Sequence, residues 1–181
     1  MSPQKICIVG AGYVGGITGP CLAAQGHHVT CVDVMADKIA VWNSDKLPIS
    51  EPGLNELVRE HKGKNLFFST DVKNAIEESD VIFACVGTPQ KLDGPDAGSF
   101  DLRYLDSVAR MIARFMNGYK VIIQKSTVPV GTVERITALI KANTPHPFTA
   151  VSNPEFLAEG TAVDDYSNPD RIVVGIPAGD T

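Results

Sequence analysis

The chain has 181 residues, enough for one full domain with a substantial core and too few for two large ones. It is 44% hydrophobic and 20% charged, as an ordinary soluble globular protein is, and its net charge of −5 comes with no basic run or stripe. Nucleic acid and anionic membrane surfaces are therefore excluded as natural partners, and no apolar run approaches membrane-spanning length.

The first predicted element is a short apolar strand over 5–9, which runs directly into Gly10-Ala11-Gly12-Tyr13-Val14-Gly15. This start resembles no signal peptide, since the apolar stretch is broken by glycines and no cleavage-like region follows a charged beginning. A helix is predicted over 13–25, and a second apolar strand over 29–33 ends in Asp33. Strand, glycine turn, helix, second strand and terminal acid occur in the order that a dinucleotide site requires. Gly10 permits the tight turn. Gly12 lets backbone approach a pyrophosphate over the helix N-terminus, where free N–H groups and the helix dipole favour anions. Gly15 lets the helix pack on the strand. Asp33 lies at the right distance to bond both ribose hydroxyls, and its charge would repel a 2′-phosphate, so NAD is expected rather than NADP. Lys38 lies close enough to soften that repulsion.

Helices are then predicted over 36–43 and 54–61, joined by the rigid loop Leu47-Pro48-Ile49-Ser50-Glu51-Pro52-Gly53. A strand at 66–69 and a helix at 72–77, N-capped by Asp71, precede a buried strand at 81–86. That strand leaves through Gly87-Thr88-Pro89 into a turn-rich loop over 89–99 holding Pro89, Gly94, Pro95 and Gly98, on the sheet edge where ligands bind in such folds. The longest helix, over 102–116 with Asp101 as N-cap, carries Leu102, Leu105, Val108, Ala109, Ile112, Phe115 and Met116 at helical period. A strand at 120–124, a helix at 132–141 and strands at 148–151 and 172–174 complete the pattern. Strands and helices alternate throughout, and the strands are almost continuously apolar. The expected fold is therefore α/β: a Rossmann-type, doubly wound, mostly parallel sheet with helices on both faces, forming one domain over 1–181.

Two further strand exits carry polar clusters. Lys125-Ser126-Thr127-Val128-Pro129-Val130-Gly131-Thr132 would offer hydroxyls, backbone N–H groups and an ammonium to the same cleft. Ser152-Asn153-Pro154-Glu155-Phe156-Leu157-Ala158-Glu159-Gly160 would add two carboxylates, an amide and a hydroxyl. Three successive exits of this kind read as one shared site. Glu155, just past a strand end, is the candidate general acid/base. Glu159, four residues on, would share its face if the segment were helical. The four cysteines, Cys7, Cys21, Cys31 and Cys85, lack metal-type spacing and read as small buried hydrophobes in a reducing, cytoplasmic compartment.

Residues 10–15, 125–130 and 152–160 together resemble the nucleotide-sugar 6-dehydrogenases, and the match extends over about 5–175. Trp42-Asn43-Ser44-Asp45, Leu47-Pro48-Ile49, Glu51-Pro52-Gly53-Leu54 and the stretch 65–71 resemble the eukaryotic members acting on UDP-glucose in particular. The resemblance implies an NAD-dependent, two-step oxidation of a sugar C6 alcohol to a carboxylate, UDP-glucose giving UDP-glucuronate, through a thioester on a cysteine. By motif, Glu155 would assist thioester hydrolysis and Thr127 would position the water. Phe156, Leu157 and Ala158 would line the sugar side together with Glu155, and Glu159 would lie near both substrate and cofactor. Tyr13 and Val14 of the glycine turn, with Val86, Thr88, Pro89 and Ser126, would touch NAD. Lys38 stands where the family often has an Arg reaching the adenosine; it keeps the charge and loses the bidentate fork.

The resemblance further implies that the chain is the N-terminal part of a longer, homo-oligomeric enzyme, whose central helix and C-terminal UDP-sugar domain supply the nucleophilic cysteine and most sugar contacts. No metal is expected. Cys85 lies near the cofactor edge, but its strand is buried and no base is in reach, so it reads as core. The alternatives are a dehydrogenase for GDP-mannose or UDP-N-acetylmannosamine, and a free-standing, catalytically inactive dinucleotide-binding module.

Overall fold

The computed structural model describes residues 2–93, 95 and 97–176. Gly94 of the turn-rich loop and the last five residues of the expected 1–181 domain lie outside the described residues.

The strands are β1 (Lys5–Val9), β2 (His28–Val32), β3 (Leu66–Ser69), β4 (Val81–Ala84), β5 (Lys120–Gln124) and β6 (Phe148–Ser152). The helices are α1 (Tyr13–Ala24), α2 (Ala36–Asn43), α3 (Leu54–His61), α4 (Val72–Glu78), α5 (Arg103–Phe115), α6 (Thr132–Lys141) and α7 (Ala162–Ser167). All strand pairs are parallel, in the order β3-β2-β1-β4-β5-β6. The order reverses between β1 and β4, so a crevice opens there at the carboxyl ends of the strands.

Alternation along each strand divides the core in two. Ile6, Ile8, Val29, Cys31, Leu66 and Phe68 pack under α1, α2, α3 and α7. Cys7, Val9, Val32, Ile82, Ala84 and Ile122 pack under α4, α5 and α6. Both faces of the central strands are thus covered, which is why their sequences run apolar without interruption. At the amino edge the buried Lys120 ammonium donates to the carbonyls of Glu77 and Ser79, satisfying the open end of α4. Among the described residues no helix is long and apolar enough to cross a membrane.

Three expectations need correction. The strand expected over 172–174 does not form; the segment runs extended and exposed, with a single antiparallel bridge from Gly175 to Ser152. A parallel seventh strand needs a crossover back to the amino edge. Instead the Asn153 side-chain amide, bonded to the Val173 carbonyl at 2.9 Å, and the Ser152–Gly175 bridge hold the segment at the carboxyl edge. Second, α7 itself was not expected. Third, Asp101 is not the N-cap of α5: Leu102 is, and the Asp101 carboxylate instead accepts from the Arg103 amide at 3.1 Å and its guanidinium at 2.6–3.0 Å. Asp71 does cap α4, accepting from the Asn74 amide at 3.0 Å.

Candidate functional site

The β1 exit is shaped by glycine at two points. Gly10 has φ +106°, and a Cβ there would lie 2.6 Å from the Cys85 carbonyl oxygen, so the turn lies directly on the β4 exit. A Cβ at Gly15 would lie 1.9 Å from the Gly10 carbonyl oxygen and 3.0 Å from Ile8, so the first turn of α1 is in contact with the turn that precedes it. Gly12 differs: it is the N-cap of α1, carries no capping side chain, and a Cβ on it would meet nothing within 4 Å. Above Gly12 there is open space, bordered by amides of the first helical turn that have no intrahelical partner. Such a place suits a phosphate. From below, the buried Trp42 indole donates to the Ala11 carbonyl at 3.0 Å and stacks on Phe68 at 4.6 Å.

Asp33 follows β2 and faces the same turn. Its Oδ2 accepts from the Ala11 amide at 3.0 Å and from Lys38 Nζ at 2.7 Å, and its Oδ1 accepts from the Met35 amide at 3.0 Å. Burial opposes the charge on this carboxyl, but the Lys38 ammonium and the two amides outweigh it and hold Asp33 below the ordinary carboxylate range. Of roughly four acceptor positions on a carboxylate, three are taken and one on Oδ1 stays open. The sequence placed Lys38 near the adenosine region; the structure pairs it with Asp33.

The β4 and β5 exits are tied together by hydroxyls. Thr88 Oγ1 donates to the Thr127 carbonyl at 2.5 Å, and Ser126 Oγ donates to the Val86 carbonyl at 2.7 Å. The Ser126 side chain is thereby buried and committed to backbone, while Thr127 and Pro89 are exposed and Val86 is half-buried. Cys85 is buried, with its thiol pushed up to about 12 by burial, which suits core packing and not nucleophilic attack.

The β6 exit is a loop, so Glu155 and Glu159 do not share a helix face. Glu155 is half-buried, with Oε2 accepting from the Leu157 amide at 2.6 Å; Ala158 and Glu159 are exposed. Lys125 Nζ donates to Asn153 Oδ1 at 3.0 Å, and Asn153 Nδ2 donates to the Val173 carbonyl at 2.9 Å, which orients the amide. Burial pulls the Lys125 ammonium below its ordinary value. Phe156, about half exposed, lies under the Arg171 guanidinium at 4.2 Å. Lys125, Glu155, Phe156 and Leu157 border a small cavity of about 180 Å³.

One residue that sequence reasoning did not single out joins these parts. Glu51, in the Pro-rich loop before α3, is 7% exposed. Its carboxylate accepts from the Tyr13 hydroxyl at 2.7 Å, from the Gly160 amide at 2.9 and 3.0 Å, and from the Ala162 amide at 3.4 Å. The Gly160 amide and the Tyr13 hydroxyl hold Glu51 below the ordinary carboxylate range. Burial and the bond to Glu51 push the Tyr13 hydroxyl up, so it stays protonated and donating. No local pattern marks Glu51, because its partners lie 38 to 111 residues away. The exits of β1, β2, β4, β5 and β6 share one edge because these strands are parallel. Val14 enters α1 between Tyr13 and Gly15 and packs partly buried on the core.

Comparisons with known proteins bear on this edge. Residues 4–180 match the NAD binding domain of the UDP-glucose/GDP-mannose dehydrogenase family. The chain is 51% identical to the UDP-glucose 6-dehydrogenase of Caenorhabditis elegans over 179 residues, covering 95% of this chain and 37% of that protein. It is 50% identical to the UDP-glucose 6-dehydrogenase of Gallus gallus, covering 95% of this chain and 36% of that one. It thus spans little more than a third of the length of these relatives. Among solved structures, the UDP-glucose dehydrogenase of Pyrobaculum islandicum superposes with a TM-score of 0.90 at 34% identity, over 99% of this chain and 41% of that one. A ternary complex of the GDP-mannose dehydrogenase of Pseudomonas aeruginosa gives 0.89 at 39%, over 96% and 41%.

Proposed function

The chain belongs to the UDP-glucose/GDP-mannose dehydrogenase family as its NAD-binding domain, and on that premise we propose that it is the cofactor half of an enzyme oxidising UDP-glucose to UDP-glucuronate. The open space over Gly12, at an α1 N-terminus without a side-chain cap, is the observation that carries the cofactor part of this reading. Gly10, Gly12, Tyr13, Val14 and Gly15 would form the pyrophosphate turn, Asp33 would accept from the adenosine ribose, and Lys38 would border it. Val86, Thr88, Pro89, Ser126 and Glu159 would lie along the nicotinamide side. The residues fit the group: the turn offers open space over Gly12, free amides of the first helical turn and a remaining acceptor on Asp33.

Bound NAD supplies the acceptor for the hydride lost from C6 in each of the two oxidations. The chain's own residues do the rest of this domain's work. Glu155 would take a proton from the water that hydrolyses the thioester, and Thr127 would hold that water by its hydroxyl. Phe156, Leu157 and Ala158 would line the sugar. The cysteine that carries the thioester and the remaining sugar contacts would come from the C-terminal domain of the parent enzyme, and assembly into a homo-oligomer largely from its central helix, in a reducing, cytoplasmic compartment.

UDP-glucose is preferred over GDP-mannose because the curated relatives at 50–51% identity, from Caenorhabditis elegans and Gallus gallus, are both UDP-glucose enzymes. The purified chain should bind NAD in a calorimetric titration, bind NADP more weakly, and yield no NADH from UDP-glucose. Turnover by the chain alone would overturn the division of labour; absence of NAD binding would overturn the cofactor reading.

A further inference from the structure

Glu51 is a buried carboxylate fed by donors from two distant segments, one at the cofactor turn and one at the β6 exit. Its own backbone is fixed by Pro52 and by the bond from the Leu54 amide to its carbonyl at 3.2 Å. Gly160, which takes φ +91°, presents its amide to both carboxylate oxygens. Asp165 completes the arrangement by accepting from the Ala158 amide and the Thr161 hydroxyl, each at 2.9 Å. Besides burial, the charges of Glu51, Glu159 and Glu155 all push the Tyr13 hydroxyl up. A space-filling anchor at this point would be apolar. A buried carboxylate is costly to desolvate and is retained only where it accepts several hydrogen bonds.

We propose that Glu51 is a positioning residue that fastens the 152–160 strand exit to the glycine turn through Tyr13, so that the cofactor turn and the segment bearing Glu155 and Glu159 are held as one unit. The proposal rests on the cofactor reading above for its functional consequence and on the hydrogen bonds alone for its structural one. Glu51→Met is the discriminating substitution. Methionine fills nearly the same volume with an unbranched side chain, but its thioether is only a weak acceptor, so the Gly160 and Ala162 N–H groups lose their partner. Space filling would be rescued by Met; acceptance of hydrogen bonds would not.

The experiment combines amide hydrogen exchange at residues 158–166 with NAD titration of the wild-type, Glu51→Met, Glu51→Ala and Tyr13→Phe chains. In both Glu51 variants, exchange at Gly160 and Ala162 is expected to rise about tenfold or more, and NAD affinity to fall about three- to tenfold, the scale of one ordinary net hydrogen bond. Exchange in β1 should stay at the wild-type rate. Tyr13→Phe removes the single donor from the glycine turn and little volume, and so keeps the test usable if the Glu51 variants do not fold. It should leave Gly160 protected and weaken NAD about threefold. Wild-type exchange in Glu51→Met would overturn the fastening, and wild-type NAD affinity in Glu51→Met or Tyr13→Phe would overturn the link to the cofactor. If the wild-type chain itself binds no NAD, the cofactor reading fails, while the exchange rates still judge the fastening separately.

Discussion

Gly12→Ala and Gly15→Ala differ by three positions in one turn and should fail in opposite ways. At Gly15 an added Cβ meets the Gly10 carbonyl oxygen at 1.9 Å. That backbone cannot retreat, since the Gly10 amide is bonded to the Val32 carbonyl at 2.8 Å and Gly10 already lies against Cys85. Overpacking costs ~1–3 kcal/mol or more, and a backbone overlap this deep belongs at the upper end. Alanine returns only ~0.5–1 kcal/mol of helix propensity. The net loss is at least about 2 kcal/mol, which for a domain of this length lowers Tm by roughly 4–8 °C. At Gly12 the backbone is extended (φ −80°, ψ −158°) and the added methyl meets nothing. The poorer N-cap costs ~0.5–1 kcal/mol, and the stiffer unfolded chain returns ~0.4–1 kcal/mol. Stability should therefore hardly move, while the methyl enters the space assigned to the pyrophosphate and should weaken NAD at least about tenfold, or ~1.4 kcal/mol. Thermal unfolding and NAD titration of both variants decide the matter. A Gly12→Ala chain that binds NAD like wild type, or a Gly15→Ala chain with unchanged Tm, would refute the reasoning.

Asp33→Ala removes the ribose acceptor and frees Lys38 from its ion pair. NAD affinity should fall about tenfold and NADP affinity should fall less or rise, because the ammonium becomes available to a 2′-phosphate; unchanged affinities in paired titrations would contradict the placement of Asp33. Acid should destabilise the fold through Asp33, Glu51, Asp101 and Asp106, whose carboxyls are all held below their ordinary values. For a lowered carboxyl the stabilisation is complete above the unfolded pKa of ~4 and is lost as pH falls through the folded value, about 2 for Asp101. Tm should thus be steady from pH 7 to about 5 and decline below pH 4; a flat Tm down to pH 2 would contradict it.

The parts legible in the sequence are those whose cause is local. The step from β1 through the glycine turn to α1 and β2 shows itself in period, glycine spacing and the acid at Asp33, all within thirty residues. The long apolar stripe of α5 announces its helix in the same way. What escaped depends on where distant segments meet. The six residues of α7 are too few for a period to show, and its place is set by packing on α1. The Ile172-Val173-Val174 run has strand composition, but a strand also needs a partner in register, and the chain returns too high on the sheet to find one. Asp101 sits one position too early to cap α5, so its carboxylate turns to Arg103. The three polar exits were legible as neighbours on one edge because parallel strands all deliver their carboxyl ends to the same side. The carboxylate that joins the last of them to the glycine turn, Glu51, was not, since nothing in the loop around it refers to Tyr13 or Gly160.

The central claim is that the glycine turn of this chain holds NAD. Titrating NAD into the isotopically labelled chain and following its backbone amide resonances tests that claim residue by residue. Saturable shifts largest at Ala11 to Gly15 and at Asp33 to Met35 are the predicted result. Absence of saturable shifts, or shifts centred on the groove between β2, β3 and α4 at Thr30, Phe67 and Asn74, would contradict it.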